Sequence, residues 1–476
     1  MTPWRAQTGP QLTAIQHDLV DELLYGGAVF GGKSDFLLGD FAQDVPRPYG
    51  KHWHGVLFRK TYPQLEELIS RSKEIYPPWF PGVEWHKTEK TWTWPNGATL
   101  KMRFMESDDD WMEYWGHAFT WIGWDEIALW ASNIPYLRMK ARLRSASAQI
   151  PNKRIRCSAN PGGPGHHWVK TYFGIDRWPM GGQLFEADDN SGMRRMFIKS
   201  RLTDNRIGIA NDPTYSDRLE GLGSPQLVRS LKEGDWNVIA GAFFPEFSLD
   251  RHVIEPFEIP KHWVRIRAMD WGSAKPFCVG WYAVSDGEIL PRGALVQYRE
   301  WYGMEPGQFN VGLKLTAEEV ADGIVDREPP GEKLDHSVID PAAFAHDGGP
   351  SIAERISTRK IYFTRADNTR VAQRGAMGGW DSVRSRLKGE DDKPMIYFFK
   401  TCTEIIRTLP ALQHDIHRPE DCDTSAEDHA PDTLRYACAS RPWVREVPKP
   451  NVVKFPVQQS ASELIAARTR KRKEQE

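Results

Sequence analysis

Residues 27–34 read Gly-Ala-Val-Phe-Gly-Gly-Lys-Ser, a complete G-x-x-x-x-G-K-[ST]. No other stretch constrains the fold so tightly. A phosphate loop needs a strand to launch it, glycines that let backbone approach an anion, a lysine for the outer phosphates and a hydroxyl for magnesium. Glu22-Leu23-Leu24-Tyr25 supplies the strand, and Gly26, Gly27, Gly31 and Gly32 supply the freedom. Lys33 and Ser34 complete the pattern, and Phe36-Leu37-Leu38 opens a helix whose N-terminus favours an anion. The expected ligand is ATP with Mg²⁺.

A second motif follows about 90 residues later: Phe119-Thr120-Trp121-Ile122-Gly123-Trp124-Asp125-Glu126. A mostly apolar strand ending in two carboxylates fits a pair in which Asp125 holds magnesium and Glu126 polarises the attacking water. The interval is long enough for strand–helix units of one parallel sheet. A third strand, Ile155-Arg156-Cys157-Ser158, ends in Ala159-Asn160-Pro161-Gly162-Gly163, where Asn160 is placed to sense the terminal phosphate. Upstream, the amide of Gln11 is the reader of the adenine edge, with Gln7 as its rival. Arg59, ending Val56-Leu57-Phe58, faces nucleotide or DNA, or makes a structural ion pair. Residues 91–94 and 99–104 flank Pro-Asn-Gly-Ala and read as a hairpin.

The chain has 476 residues, too many for one typical core. There is no long uncharged apolar run, so no membrane span is expected, and the N-terminus lacks the charge-then-apolar order of a secretory signal. Five cysteines are scattered without C-x-x-C spacing, which fits a reduced, cytosolic protein. A net charge of -2 neither demands nor excludes nucleic acid. Of the 20 tryptophans many fall in 85–130, and these are expected to pack in a core or at a hairpin rather than stack on bases.

GGAVFGGKSDFLL, the strand ending Asp125-Glu126, and SANPGGPGHHWVK, in this order, resemble the large terminase subunit of tailed bacteriophages. The resemblance covers roughly residues 10–440. It implies an α/β chain: an N-terminal P-loop ATPase with a central, mostly parallel sheet, and a C-terminal RNase H-like mixed α/β nuclease. By it, Ser158-Ala159-Asn160 couples hydrolysis to movement. Two departures stand out. Phe30 occupies a place where many such loops have glycine, and Pro161 stiffens the coupling turn.

An RNase H-like nuclease gathers acidic side chains from separate elements around two divalent ions, Mg²⁺ or alternatively Mn²⁺. Residues 264–270 form a strand ending at Asp270, with 277–284 as its antiparallel neighbour. Ser337-Val338-Ile339 ends at Asp340, and Pro341 makes a sharp exit. Ala426-Glu427-Asp428-His429-Ala430-Pro431-Asp432 then puts Asp428 and Asp432 one helical turn apart. The stretch resembles the family's D-H-x-x-D-x-x-R-Y, which implies Asp432 as metal ligand with Asp428 and His429 in support. The spacing alone does not rank the two aspartates. Glu300 is a further carboxylate to test, and His346 and Asp347 lie on a loop.

The expected organisation is an ATPase in 1–200, a linker subdomain in 201–258, a nuclease in 259–445 and a flexible basic tail in 446–476. Residues 365–394, with Arg365, Arg370, Arg374, Arg384, Arg386 and Lys388, follow a DNA backbone or form a solvated face. Arg138, Arg142 and Arg144 are alternative arginine fingers. The implied partners are double-stranded viral DNA, a terminase small subunit and the portal of a procapsid. The chain is expected to form a ring when docked, and to act in the host cytoplasm. The alternatives are a helicase or translocase that binds nucleic acid without cutting, and an adaptor with a dead ATPase.

Overall fold

The computed structural model describes residues 4–187, 189, 191–222, 225–237, 242–372, 377–391, 393–415, 417–424, 426–441, 468 and 470. The chain as far as Pro442 forms one compact unit, which contains two sheets. The anticipated tail lies outside the described residues apart from Arg468 and Arg470, as does Arg374.

The first sheet has nine strands in the order Glu84–His86, Thr91–Thr93, Thr99–Phe104, His54–Arg59, Trp121–Trp124, Arg154–Ala159, Glu22–Gly27, Arg194–Ser200, Gly181–Glu186. The six from Thr99–Phe104 to Arg194–Ser200 run parallel, and antiparallel strands close both sides. Glu22–Gly27, Trp121–Trp124 and Arg154–Ala159 are buried along their whole length, as expected of parallel strands covered on both faces. Trp124 pairs with Cys157 and Gly26 with Ala159. The residues that follow these three strands therefore meet at one sheet edge, where ligands bind in open α/β sheets. The anticipated hairpin is present as Thr91–Thr93 against Thr99–Phe104. Trp53, Trp92, Trp94, Trp121, Trp124, Trp130 and Trp168 are fully buried, so these tryptophans serve the core.

The phosphate-loop helix, Lys33–Ala42, is fastened to this sheet by buried charge. Asp40 lies 3.0 Å from Arg154 Nε and 3.2 Å from Arg156 Nε, and accepts a 2.8 Å bond from Trp121 Nε1. The two arginines hold the Asp40 carboxyl below its ordinary pKa although burial works the other way.

The second sheet runs Val253–Ile254, Ile396–Phe399, Leu295–Tyr302, Cys278–Val284, Arg265–Asp270, His336–Ile339, Thr364–Arg365. Leu295–Tyr302, Cys278–Val284 and Arg265–Asp270 form an antiparallel meander, and His336–Ile339 and Thr364–Arg365 add in parallel. This is the mixed α/β arrangement anticipated for the C-terminal half. Side chains alternate across a strand. Met269 packs with Ala317, Val320 and Ile324 of the helix Ala317–Arg327, whereas its neighbour Asp270 faces the helix His429–Ser440.

Candidate nucleotide and nuclease sites

At the first sheet's edge the loop takes a conformation that glycine permits. Gly27 has φ 138°, and a Cβ there would lie 2.2 Å from Ser200 O. Lys33 is buried and its Nζ donates to Ala28 O at 2.6 Å, which points the ammonium across the loop that would surround a phosphate chain. Burial lowers its pKa, and the charges of Glu126 and Asp125 oppose that shift. Ser34 Oγ donates to Asp125 Oδ2 at 3.0 Å, so hydroxyl and carboxylate converge as a shared magnesium position requires. Asp125 also accepts from Ser158 Oγ, and Arg59 Nε lies 2.8 Å from its Oδ2. Of the two readings of Arg59, the ion pair is the arrangement present.

Glu126 sits in the left-handed region at φ 55°, uncommon for a residue with a Cβ. Asn160 holds its carboxylate: Nδ2 donates at 3.0 and 3.1 Å and the backbone N–H at 3.2 Å. Burial raises the Glu126 pKa, Lys33 lowers it and Asp125 raises it, with a net upward shift. Asn160 Oδ1 is buried and has no protein partner, a polar atom aimed into the site. The Gln11 amide is taken up by the protein at both ends. Its Nε2 donates to Gly32 O at 2.9 Å and its Oε1 accepts from Gln7 N at 2.7 Å.

Phe30 solves its own steric problem by leaving the loop. Its φ is 60°, and its ring packs against Tyr215 at 4.7 Å. Asn205 Nδ2 donates to Phe30 O at 2.5 Å, and Val29 N donates to Leu231 O at 3.0 Å. Neither Asn205 nor Leu231 carries a local motif, because what selects them is contact across 175 and more residues. Arg138 and Arg142 stack on Trp111, and Arg144 donates to Gly116 O and His117 O. None of the three has a described contact with the phosphate loop.

In the second sheet, Asp270 and Asp340 end neighbouring parallel strands and Asp428 precedes the helix that carries Asp432. Asp270 Oδ2 lies 3.1 Å from His429 Nδ1, and His429 Nε2 lies 3.3 Å from Asn310 Oδ1. Asp340 Oδ1 accepts from Ala342 N at 3.0 Å, capping the short turn that Pro341 opens. Burial, with Asp432 and Asp340 adding, lifts Asp270 to about 6 against the opposing His429. Burial and Asp432 lift Asp428 to about 7. A cluster whose carboxylates resist ionising together is one whose charge a cation would relieve.

The described residues include no group of three or more His, Cys, Asp or Glu side chains in metal-holding geometry. The reason is visible at Asp432. Its Oδ2 is 3.2 Å from Arg370 Nη1 and its Oδ1 is 2.8 Å from Arg435 Nε. Arg435 was legible as the i+3 neighbour of Asp432, whereas Arg370, 62 residues upstream, was legible only as one of a run of basic residues. Asp432 and Asp428 face the Arg370 guanidinium, whereas Asp270 pairs with His429 and Asp340 caps its own turn, an all-oxygen pair of the kind a divalent cation takes. Glu300 has a different task. Its carboxylate accepts from Glu404 N at 2.7 Å and Ile405 N at 2.9 Å, capping the helix Thr403–Thr408. His346 and Asp347 are exposed.

The chain thus combines a phosphate loop with a strand-end carboxylate cluster, a nucleotide-binding fold joined to an acidic mixed α/β layer. No family model matches it, and no curated protein matches it in sequence. Among solved structures it is similar to the large terminase of a thermophilic bacteriophage in complex with ADP. That match has 18% identity over 90% of this chain and 98% of the other, with a TM-score of 0.39. It is similar to the bacteriophage HK97 large terminase at 10% identity, over 92% and 96%, with a TM-score of 0.45. The large terminase nuclease from thermophilic phage G20c with bound cobalt matches at 12% identity, over 42% of this chain and 96% of the other, with a TM-score of 0.28. At these scores the likeness assigns no residue its role, and the roles below come from this chain's own side chains.

Proposed function

We propose that this chain is a terminase large subunit, a motor that hydrolyses ATP to drive double-stranded viral DNA into a procapsid and cuts concatemeric DNA with a metal-dependent endonuclease centre. The observation that carries this reading is the joint presence, in one compact unit, of Ser34 bonded to Asp125 at one sheet edge and Asp270, Asp340, Asp428 and Asp432 gathered at another. The ATPase would occupy 1–200, the linker 201–258 and the nuclease 259–445. A small subunit, a portal and a ring of copies are the partners this role requires, in the host cytoplasm.

In the ATPase, Lys33 and the loop amides would bind the phosphate chain, and Ser34 and Asp125 would hold Mg²⁺. Glu126 orients the attacking water and takes its proton, a task suited to a carboxylate with a raised pKa. Asn160 keeps Glu126 in place and reports the terminal phosphate. In the nuclease, Asp270 and Asp340, with Asp432, would hold divalent ions, which when bound supply positive charge to the scissile phosphate. His429 fixes the Asp270 carboxylate.

One observation favours a translocase that binds nucleic acid without cutting: both Asp432 oxygens are engaged by arginine. Incubating purified protein with supercoiled plasmid and Mg²⁺ or Mn²⁺ separates the two readings. Nicking that falls to background in Asp340→Ala is the expected result, with ATP turnover lost independently in Lys33→Ala. No cleavage in either metal, with DNA binding retained, would leave the translocase.

A further inference from the structure

Arg370 faces the Asp428–Asp432 side of the acidic cluster. Its Nε lies 2.9 Å from Asp421 Oδ1, its Nη1 3.2 Å from Asp432 Oδ2 and its Nη2 3.6 Å from Asp428 Oδ2, and Nη2 also donates to Cys422 Sγ at 2.9 Å. The planar fork thus faces three carboxylates in a fixed geometry, where a lysine ammonium would offer the same charge from a rotatable point. Trp380 holds it in place. The indole lies 5.1 Å below the guanidinium and donates to the same Asp421 Oδ1 at 2.8 Å. Backbone bonds anchor the segment on either side, since Gly379 N donates to Thr369 O and Trp380 N to Arg370 O.

We propose that Arg370 is the resident cation of the metal-free nuclease centre, competing with a divalent ion for Asp432 and Asp428. This rests on the nuclease reading above. Four aspartates gathered near one point repel one another. Without a counter-charge the strand ends and the helix His429–Ser440 would be pushed apart. On the Asp432 side Arg370 shares that charge with Arg435, which stays on the other Asp432 oxygen, and of the two only Arg370 also reaches Asp428. Loading an ion there requires the guanidinium to give up Asp432 and Asp428 while Asp421 and Trp380 retain it. The cutting centre then assembles only when metal outcompetes an internal ligand, and Arg370 sets how much metal that takes.

Calorimetric titration of the full chain with Mn²⁺ tests this in wild type, Arg370→Gln and Arg370→Lys. Displacement predicts about tenfold tighter binding in Arg370→Gln, the size typical of two ligands coupled through one site. Lysine keeps the charge but loses the fork, so Arg370→Lys should lie between Arg370→Gln and wild type. Unchanged or weaker binding in Arg370→Gln would overturn the proposal, and so would Arg370→Lys binding as tightly as Arg370→Gln, because the retained charge would then not compete. A measurement on the unaltered protein guards against variants that fail to fold: saturating Mg²⁺ should speed hydrogen exchange across 366–372, and unchanged or slower exchange overturns the displacement. Wild-type protein that nicks plasmid while its variants bind metal unchanged sinks this proposal alone. A wild type that neither nicks nor binds Mn²⁺ sinks the nuclease reading with it.

Discussion

His166 shows how one side chain can lock the turn that follows Asn160. Its Nδ1 accepts from Gly162 N at 2.9 Å and its Nε2 lies 3.1 Å from Trp236 O, so the neutral ring, with its proton on Nε2, satisfies both bonds. Burial pulls its pKa down to about 3. An unfolded histidine takes up a proton near 6.5, whereas the folded one does not until about 3. The stability this ring contributes is therefore complete above pH 6.5 and is lost as pH falls toward 3. The loss approaches about 1.4 kcal/mol per pH unit in that window. Thermal unfolding of His166→Gln should fall less than wild type between about pH 7 and pH 5, inside that window, and equal slopes would refute the assignment. His166 and Trp236 lie 70 residues apart, and only the fold reveals that they form a pair. Asp40 makes the same point. Helix periodicity puts it beside Phe36 and Leu37 on the buried face, and only packing against Arg154 and Arg156 explains a charge held there.

At the scale of elements, the segment after the first sheet touches the phosphate loop directly. The helices Arg206–Asn211, Tyr215–Glu220 and Pro225–Glu233 bring Asn205, Tyr215 and Leu231 against residues 29 and 30. Gly234, at φ 60°, comes closest, since a Cβ there would lie 2.5 Å from Gly27 Cα. A branched side chain cannot fit, and the loop would have to move. Gly234→Val should weaken ATPγS binding by at least about tenfold, the loss of about 1.4 kcal/mol, while plasmid nicking persists. Retained nucleotide affinity would show that the linker does not shape the loop. The bulky Phe30, which read as a departure from the loop pattern, belongs to this contact, because its ring is exported to Tyr215.

Across the whole molecule, a loop of the second half docks on the first. Asn133 Nδ2 donates to Gly307 O at 3.0 Å and its Oδ1 accepts from Phe309 N at 3.2 Å. Phe309 packs into the cluster that holds Trp124 and Trp130. The next residue, Asn310, is buried at φ 60° and meets His429. A short chain of contacts thus runs from a residue just beyond Glu126 to the side chain that holds Asp270. Asn133→Ala removes two bonds whose backbone partners lie at exposed Gly307 and half-buried Phe309, a loss of about 0.5–1.5 kcal/mol for each bond. Exchange of the 305–312 amides should rise in this variant, and unchanged protection would mean the loop is held by other contacts.

Residue order alone carries the set of local chemistries. The phosphate loop, the carboxylates at strand ends, the hairpin and the Asp428–Asp432 turn are short-range patterns, written within spans of four to a dozen residues. The spacing of the phosphate loop and the strand-end carboxylates implied a parallel sheet, and the terminase resemblance implied a mixed one after it. The tertiary structure decided which of these groups are free to act. Arg370 over Asp432, Asn160 on Glu126, Glu300 as a helix cap and the Gln7–Gln11–Gly32 chain all join residues whose meeting depends on strand order and register. A buried charge or amide selects its partner by geometry and desolvation, not by distance along the chain. The residues that could do chemistry were therefore legible in the sequence, and their neighbours were not.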